Sequence, residues 1–319
     1  MAARRRVLIT GATGHLGGRL FRSLVAHESV LARALVRTPQ VLPAWAQNSE
    51  LCVGDLVDPR VRASALQDVD CVVHLATRGY SATISPTRED LSKEEALALA
   101  LVNDAIKARV SRFIYVSSVH VYGDSLVGEV DESSKTAPNT PYGHSRKEIE
   151  ATLLNQADST CTDTIVVRLT NSFGTPAIRR DETWNLLMHD LCRQVVSSGS
   201  ITLRSDGQML RDTMAMRDVE DVLTQLILTS TTMQGTYLLA SGRTSKLSEL
   251  AELVRQHAQE ILGINAQIVM PMNSMSSPVS FVLNPSKLRK AGISISDHRD
   301  DEVRDLLLYA RQTFGEVPA

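Results

Sequence analysis

The sequence predicts an α/β fold, a doubly wound parallel sheet with a smaller C-terminal part interleaved with it. Three observations predict it. Short β-branched runs alternate with segments whose apolar residues recur at helical spacing. A glycine-rich turn, TGATGHLG at residues 10–17, joins the first run to the first amphipathic segment. Beyond residue 170 the alternation gives way to turn-rich pieces that separate helical patterns.

The first run, residues 7–10, enters the glycine turn, and the helical pattern 16–26 leaves it. Gly11, Gly14 and Gly17 are not spaced as G-x-G-x-x-G, yet each can serve the same end: tight turn, close approach, close packing. A strand that turns through glycines into a helix aims backbone N–H groups and the positive helix end at a phosphate. A dinucleotide is therefore expected here, with Thr13, His15 and Leu16 beside it. The second run, 32–36, is followed by Arg37, and no acidic residue comes before Glu50. A carboxylate there would bind a ribose 2′-OH, whereas an arginine accommodates a 2′-phosphate. This favours NADP over NAD, against the plainer reading of Arg37 as a solvated loop residue. The third run, 50–53, ends in Gly54-Asp55-Leu56, where Asp55 either accepts from an adenine amino group or opens the loop as a turn residue.

Runs at 71–75, 113–116 and 164–169 continue the sheet, and a late run at 236–240 returns to it. Helical patterns occupy 91–108 and 142–154, the second after Asn139, Thr140 and Pro141, which suit a helix entrance. Residues 1–170, with a returning segment near 212–241, are expected to form the dinucleotide-binding domain; 171–211 and 242–319 are expected to form the substrate-binding part. In open α/β sheets the ligand lies beyond the carboxyl ends of the strands. Chemistry should be sought there.

Composition narrows the function. With 319 residues, 43% apolar and 22% charged, the chain reads as a soluble globular protein of one large or two modest domains. A net charge of −2 gives no electrostatic reason to expect nucleic acid, and Arg4 to Arg6 read as a solvated tail. No apolar stretch approaches the ~18 residues that span a membrane, so the cytoplasm is the expected location. Cys52, Cys71, Cys161 and Cys192 are far apart, and inert thiols are expected rather than disulfides or metal ligands.

Taken in order, TGATGHLG, the GDL at 54–56, HLAT at 74–77, SSVHVYG at 117–123 and PYGHSR at 141–146 resemble the extended short-chain dehydrogenase/reductase superfamily, the NAD(P)-dependent nucleotide-sugar epimerases and dehydratases. RLTNSFGTP, DGQMLRDTMAMRDV and YLLASGRTSKLSELAELV carry the resemblance across nearly the whole chain, with Phe173 in place of a family tyrosine. It implies a Rossmann-type fold with Leu75, Ala76 and Thr77 also beside the cofactor. It further implies a homodimer joined through the helices near 91–108 and 142–154.

By position the family's proton-handling pair falls on Ser118 and Tyr142. Hydride transfer at a carbon requires a proton to move on its oxygen, which needs an acid or base within ~3 Å. A free phenol ionises near pH ~10, so a neighbouring cation is required. Without the motif, Ser118 reads as a strand-end hydroxyl and Tyr142 as a half-buried helix residue. The family lysine, four residues after the tyrosine, is here Arg146, with Lys147 one place on. The fifth residue of a helix is rotated ~140° from the first, so Lys147 does not take over. A unit charge at ~4 Å and an effective dielectric of ~20 is worth ~4 kcal/mol, and at ~7 Å ~2.4 kcal/mol. Arg146 can thus supply a field; a copy of the lysine's hydrogen bond to the nicotinamide ribose does not follow from it, because arginine and lysine are not interchangeable at such sites.

His120, two residues beyond Ser118, either faces substrate or packs at the domain edge; with Val119 it stands where sugar 4,6-dehydratases carry an acidic pair. Arg211 matches a family arginine that holds a nucleotide-sugar diphosphate, and Asn171 a residue near the sugar. Their plainer readings are an ion pair with Asp212 and a turn-initiating side chain. Three functions follow: an NADPH-dependent ketoreductase of a nucleotide-linked keto sugar, a 4-epimerase with tightly bound NAD, and a catalytically weak dinucleotide-binding regulator.

Overall fold

The computed structural model describes residues 4–39, 43–76, 87–124, 126–157, 161–271 and 279–315. Strands β1 (Arg5–Thr10), β2 (Val30–Val36), β3 (Glu50–Val53), β4 (Cys71–His74) and β5 (Arg112–Ser118) alternate with helices α1 (His15–Val25), α2 (Pro59–Ala65) and α3 (Arg88–Lys107). Then come β6 (Gly128–Val130), α4 (Pro141–Ala157), β7 (Asp163–Leu169) and β8 (Asn171–Phe173). They are followed by α5 (Leu187–Ser198), β9 (Ser200–Thr202), β10 (Leu210–Ala215), α6 (Met216–Leu228) and β11 (Gly235–Leu239). The chain closes with β12 (Thr244–Lys246), α7 (Leu247–Leu262), β13 (Gln267–Val269), β14 (Phe281–Leu283), α8 (Ser286–Lys290) and α9 (Arg299–Phe314).

Seven strands form one sheet in the order β11-β7-β5-β4-β1-β2-β3, parallel throughout. Period-two alternation decides which face each side chain serves. Val7 and Ile9 point into a layer with Leu20 and Leu24 of α1 and Val222 and Leu226 of α6, while Leu8 between them faces Leu101 of α3 and Leu153 of α4. Full burial of a leucine contributes about 1.5–3 kcal/mol, so both faces are held by the apolar stripes of their helices. The chain runs outward from β1 to β3 and then returns to β4 beside β1. That reversal opens a crevice at the carboxyl ends of β1 and β4.

Of residues 212–241, α6 and β11 join the large sheet's layers, whereas β10 pairs with β8 and β12 in a small three-stranded sheet. A separate core gathers α5, α7 and α9 around Leu191, Val195, Val254 and Leu306. All four cysteines are free; burial pushes the Cys71 thiol up to about 12. No described helix is long and apolar enough to cross a membrane.

Candidate active site

The glycine turn is built as its residue types require. Gly11 has φ +73°, and a Cβ there would meet the Ala76 nitrogen at 2.8 Å. A Cβ on Gly17 would lie 2.0 Å from the Gly11 carbonyl oxygen. These clashes show how closely α1 rides on the turn and the turn on the β4 exit. Thr10 locks that junction: its carbonyl accepts from the Leu75 N–H at 3.2 Å and its hydroxyl from the Ala76 N–H at 3.2 Å. No acidic residue occupies the first turn of α1, leaving its N-terminus open to an anion. His15 begins the helix with both ring nitrogens buried and without a partner among the described residues. Burial, with His189 and the charges of Arg19 and Arg180, pushes its pKa down to about 3, so the ring is neutral. A tightly packed turn, a helix N-terminus without an acidic side chain and a buried imidazole without a hydrogen-bond partner among the described residues fit a dinucleotide diphosphate.

The neighbouring strand ends differ in what they present. Arg37 is exposed directly after β2. Asp55 is exposed too, but its carboxylate accepts the Val57 N–H at 3.0 Å, as a turn-forming aspartate does. The Leu56 side chain is buried in the core, so only its backbone can face a ligand. Leu16, Leu75, Ala76 and Thr13 are half-buried around the turn. Thr77 lies outside the described residues.

At the end of β5 the two serines part company. Ser117 donates to Glu150 at 2.5 Å, and Glu150 in turn accepts from Arg168 at 2.7 Å. Ser118 caps the 3-10 turn Val119–Tyr122, its oxygen accepting the His120 N–H at 3.3 Å. This turn brings the His120 ring edge-on to Tyr142, with centroids 5.9 Å apart. His120 is an exposed residue, with its ring partly covered by the protein. The protein around its ring and the Arg211 charge lower its pKa, against the pull of Asp124.

Arg146 sits beneath this group. Its guanidinium carbon is 4.7 Å from the Tyr142 ring centroid, as the four-residue spacing on α4 requires. Its terminal nitrogens, however, point away from the crevice into the layer between sheet and α3. One donates to the Tyr115 hydroxyl at 2.6 Å and the other to Glu94 at 2.6 Å. Arg146 is 1% exposed and Glu94 4%, so the pair is wholly desolvated. Its charge, after burial, lowers the pKa of His74, which falls to about 3. His74 accordingly stays neutral, 2.7 Å from the Thr10 hydroxyl. Lys147 turns elsewhere, donating to the Thr136 carbonyl at 3.4 Å.

On the facing small sheet, Asn171 is exposed and its amide lies 3.4 Å from the Asp212 carbonyl. Arg211 is half-buried and donates to the Leu210 carbonyl at 2.8 Å. The ion pair of Arg211 with Asp212 is not formed. Asp212 instead accepts from Ser241 N–H and O–H and from Gly242 N–H at 2.9–3.1 Å, and burial raises its pKa. The structure thus gathers Ser118, His120 and Tyr142 at the crevice, with Arg211 near enough to act on His120. Glu94, Tyr115 and His189 are additions that sequence reasoning did not supply. Only Glu94 left a signal, a carboxylate in register with the apolar stripe Ala98, Leu101, Val102 and Ala105.

The model of the NAD dependent epimerase/dehydratase family matches residues 7–240. Human dTDP-D-glucose 4,6-dehydratase is 28% identical over 190 residues, 53% of this chain and 52% of that protein. The chain therefore spans about half the length of such dehydratases. UDP-glucose 4-epimerase of Vibrio cholerae is 25% identical over 275 residues, 84% of this chain and 79% of that one. In fold the chain is similar to UDP-N-acetylglucosamine 4-epimerase from Methanobrevibacter ruminantium, with TM-score 0.81, 17% identity and coverage of 98% and 99%. It is also similar to UDP-glucuronic acid 4-epimerase from Bacillus cereus, solved with UDP-glucuronic acid and NAD, with TM-score 0.77, 18% identity and coverage of 97% and 99%.

Proposed function

Since this chain belongs to the NAD dependent epimerase/dehydratase family, we propose that its crevice carries out hydride transfer on a nucleotide-linked sugar, as a ketoreductase drawing on NADPH. The observation that carries this reading is the convergence of Ser118, His120 and Tyr142 at the end of β5, over a cation 4.7 Å from the tyrosine ring. A nicotinamide cofactor supplies hydride when bound. Gly11, Gly14 and Gly17 receive its diphosphate, and Arg37 its 2′-phosphate. The Tyr142 hydroxyl gives its proton to the carbonyl oxygen of the sugar, and the Ser118 hydroxyl donates a hydrogen bond to the same oxygen. Arg211 and Asn171 hold the substrate's diphosphate end. Two copies of the chain join through the outer faces of α3 and α4.

Arg146 makes this a slower site than one with lysine. Its charge lies over the Tyr142 ring, 4.7 Å from the ring centroid. Glu94 opposes part of that charge from the far side of the guanidinium. The arginine's terminal donors are turned to Tyr115 and Glu94, which leaves the cofactor ribose without the hydrogen bond a lysine would make. A 4-epimerase is the second reading. It is favoured by the alignment to UDP-glucose 4-epimerase, which runs over 84% of the chain.

Mass spectrometry of native and then denatured protein separates the two. Release of NAD+ on denaturation supports the epimerase; an empty protein that binds NADPH better than NADH supports the reductase. Tyr142→Phe is expected to lower turnover about 10²-fold or more. Unchanged turnover in that variant refutes both mechanisms.

A further inference from the structure

Arg180 lies 167 residues beyond Thr13, yet its Nη1 donates to the Thr13 carbonyl at 2.9 Å, inside the glycine turn. We propose that Arg180 is a clamp on the dinucleotide's diphosphate, closing from the segment after β8 onto the mouth of the turn. This rests on the reading that a dinucleotide occupies that turn.

Arg180 is well placed and little used. Its guanidinium makes no other hydrogen bond among the described residues; the nearest carboxylate, Glu182, stands 3.8 Å from Nε. The other charged groups at this end of α1 are already committed. Arg19, one turn along the helix, is buried and shared between Glu220 and Glu302, with further bonds to Thr175. His15 is held neutral, in part by the Arg180 charge itself. The first turn of α1 carries no acidic side chain to compete. An arginine at this position offers paired N–H donors to adjacent phosphate oxygens, while the helix N–H groups address them from the other side. The same segment leaves β8, which begins with Asn171. Binding of the diphosphate would therefore draw the substrate side of the crevice onto the cofactor side.

Arg179 is the internal control. It has the same charge one residue earlier, but it is exposed and paired with Asp181 at 3.3 Å. Direct titrations of NADPH and NAD+, followed by fluorescence and by the ligand-induced shift in thermal midpoint, compare wild type with Arg180→Ala, Arg180→Gln and Arg179→Ala. Glutamine keeps a donor for the Thr13 carbonyl while removing the charge. Both Arg180 variants are expected to bind about tenfold or more weakly, with Arg179→Ala within about twofold of wild type. Wild-type affinity in Arg180→Gln, or equal losses in the Arg179 and Arg180 variants, would overturn the clamp alone. Wild-type protein that binds neither dinucleotide overturns the clamp together with the reading beneath it.

Discussion

Replacing Arg146 by methionine removes the guanidinium while keeping an unbranched apolar stem in its place. In the native protein Arg146 and Glu94 are 1% and 4% exposed and meet at 2.6 Å, and Arg146 also holds the buried Tyr115 hydroxyl. Breaking one side of a buried pair costs about 3–5 kcal/mol, so Arg146→Met is expected to lose about that much at pH 7 against wild type. Adding Glu94→Gln should restore most of the loss, a coupling of about 2–4 kcal/mol. Urea unfolding at pH 7 followed by circular dichroism measures both. A single variant that costs under about 1 kcal/mol at pH 7, or a double variant no more stable than the single, refutes the buried-pair account.

Two further predictions concern the crevice's neighbours. His74 is fully buried with its pKa pushed down to about 3, so the unfolded chain, titrating near ~6.5, binds a proton that the folded one refuses. Stability should fall as pH drops below ~6.5, with His74 accounting for about 2 kcal/mol between pH 7 and 5. Urea midpoints of His74→Asn across that range should show a correspondingly shallower acid slope, and an unchanged slope would contradict it. Gly17→Ala puts a methyl 2.0 Å from the Gly11 oxygen, whereas Gly18→Ala meets nothing closer than 3.5 Å. The first should lose about 2 kcal/mol or more along with dinucleotide affinity, and the second should be neutral or gain up to about 1 kcal/mol from helix propensity. Calorimetry on both variants decides, and equal behaviour would argue against the tight-turn geometry.

Much of the fold was legible because its signals are local. The β-branched runs, the glycines at 11, 14 and 17 and the apolar spacing of α3 and α4 are patterns within a few residues, and each recurs in the structure at nearly the expected place. The site was legible in part. Helical spacing placed Arg146 beneath Tyr142 and turned Lys147 away, but it left open where the guanidinium would point. For Arg211 the neighbouring Asp212 looked like a partner. Alternation along β10 sends successive side chains to opposite faces, and Asp212 goes instead to the Ser241–Gly242 turn.

By itself the sequence determined the alternating elements, the glycine turn with its capacity for a phosphate, and the tyrosine with an arginine one helical turn on. Backbone geometry and apolar periodicity act over a few residues, so these needed no knowledge of distant contacts. Only the tertiary structure decided what the charges do. Glu94 meets Arg146 across 52 residues, and Arg180 meets Thr13 across 167. Nothing in local spacing selects such partners. They are chosen because a donor or charge packed against the fold must find an acceptor among whatever groups the layers bring beside it.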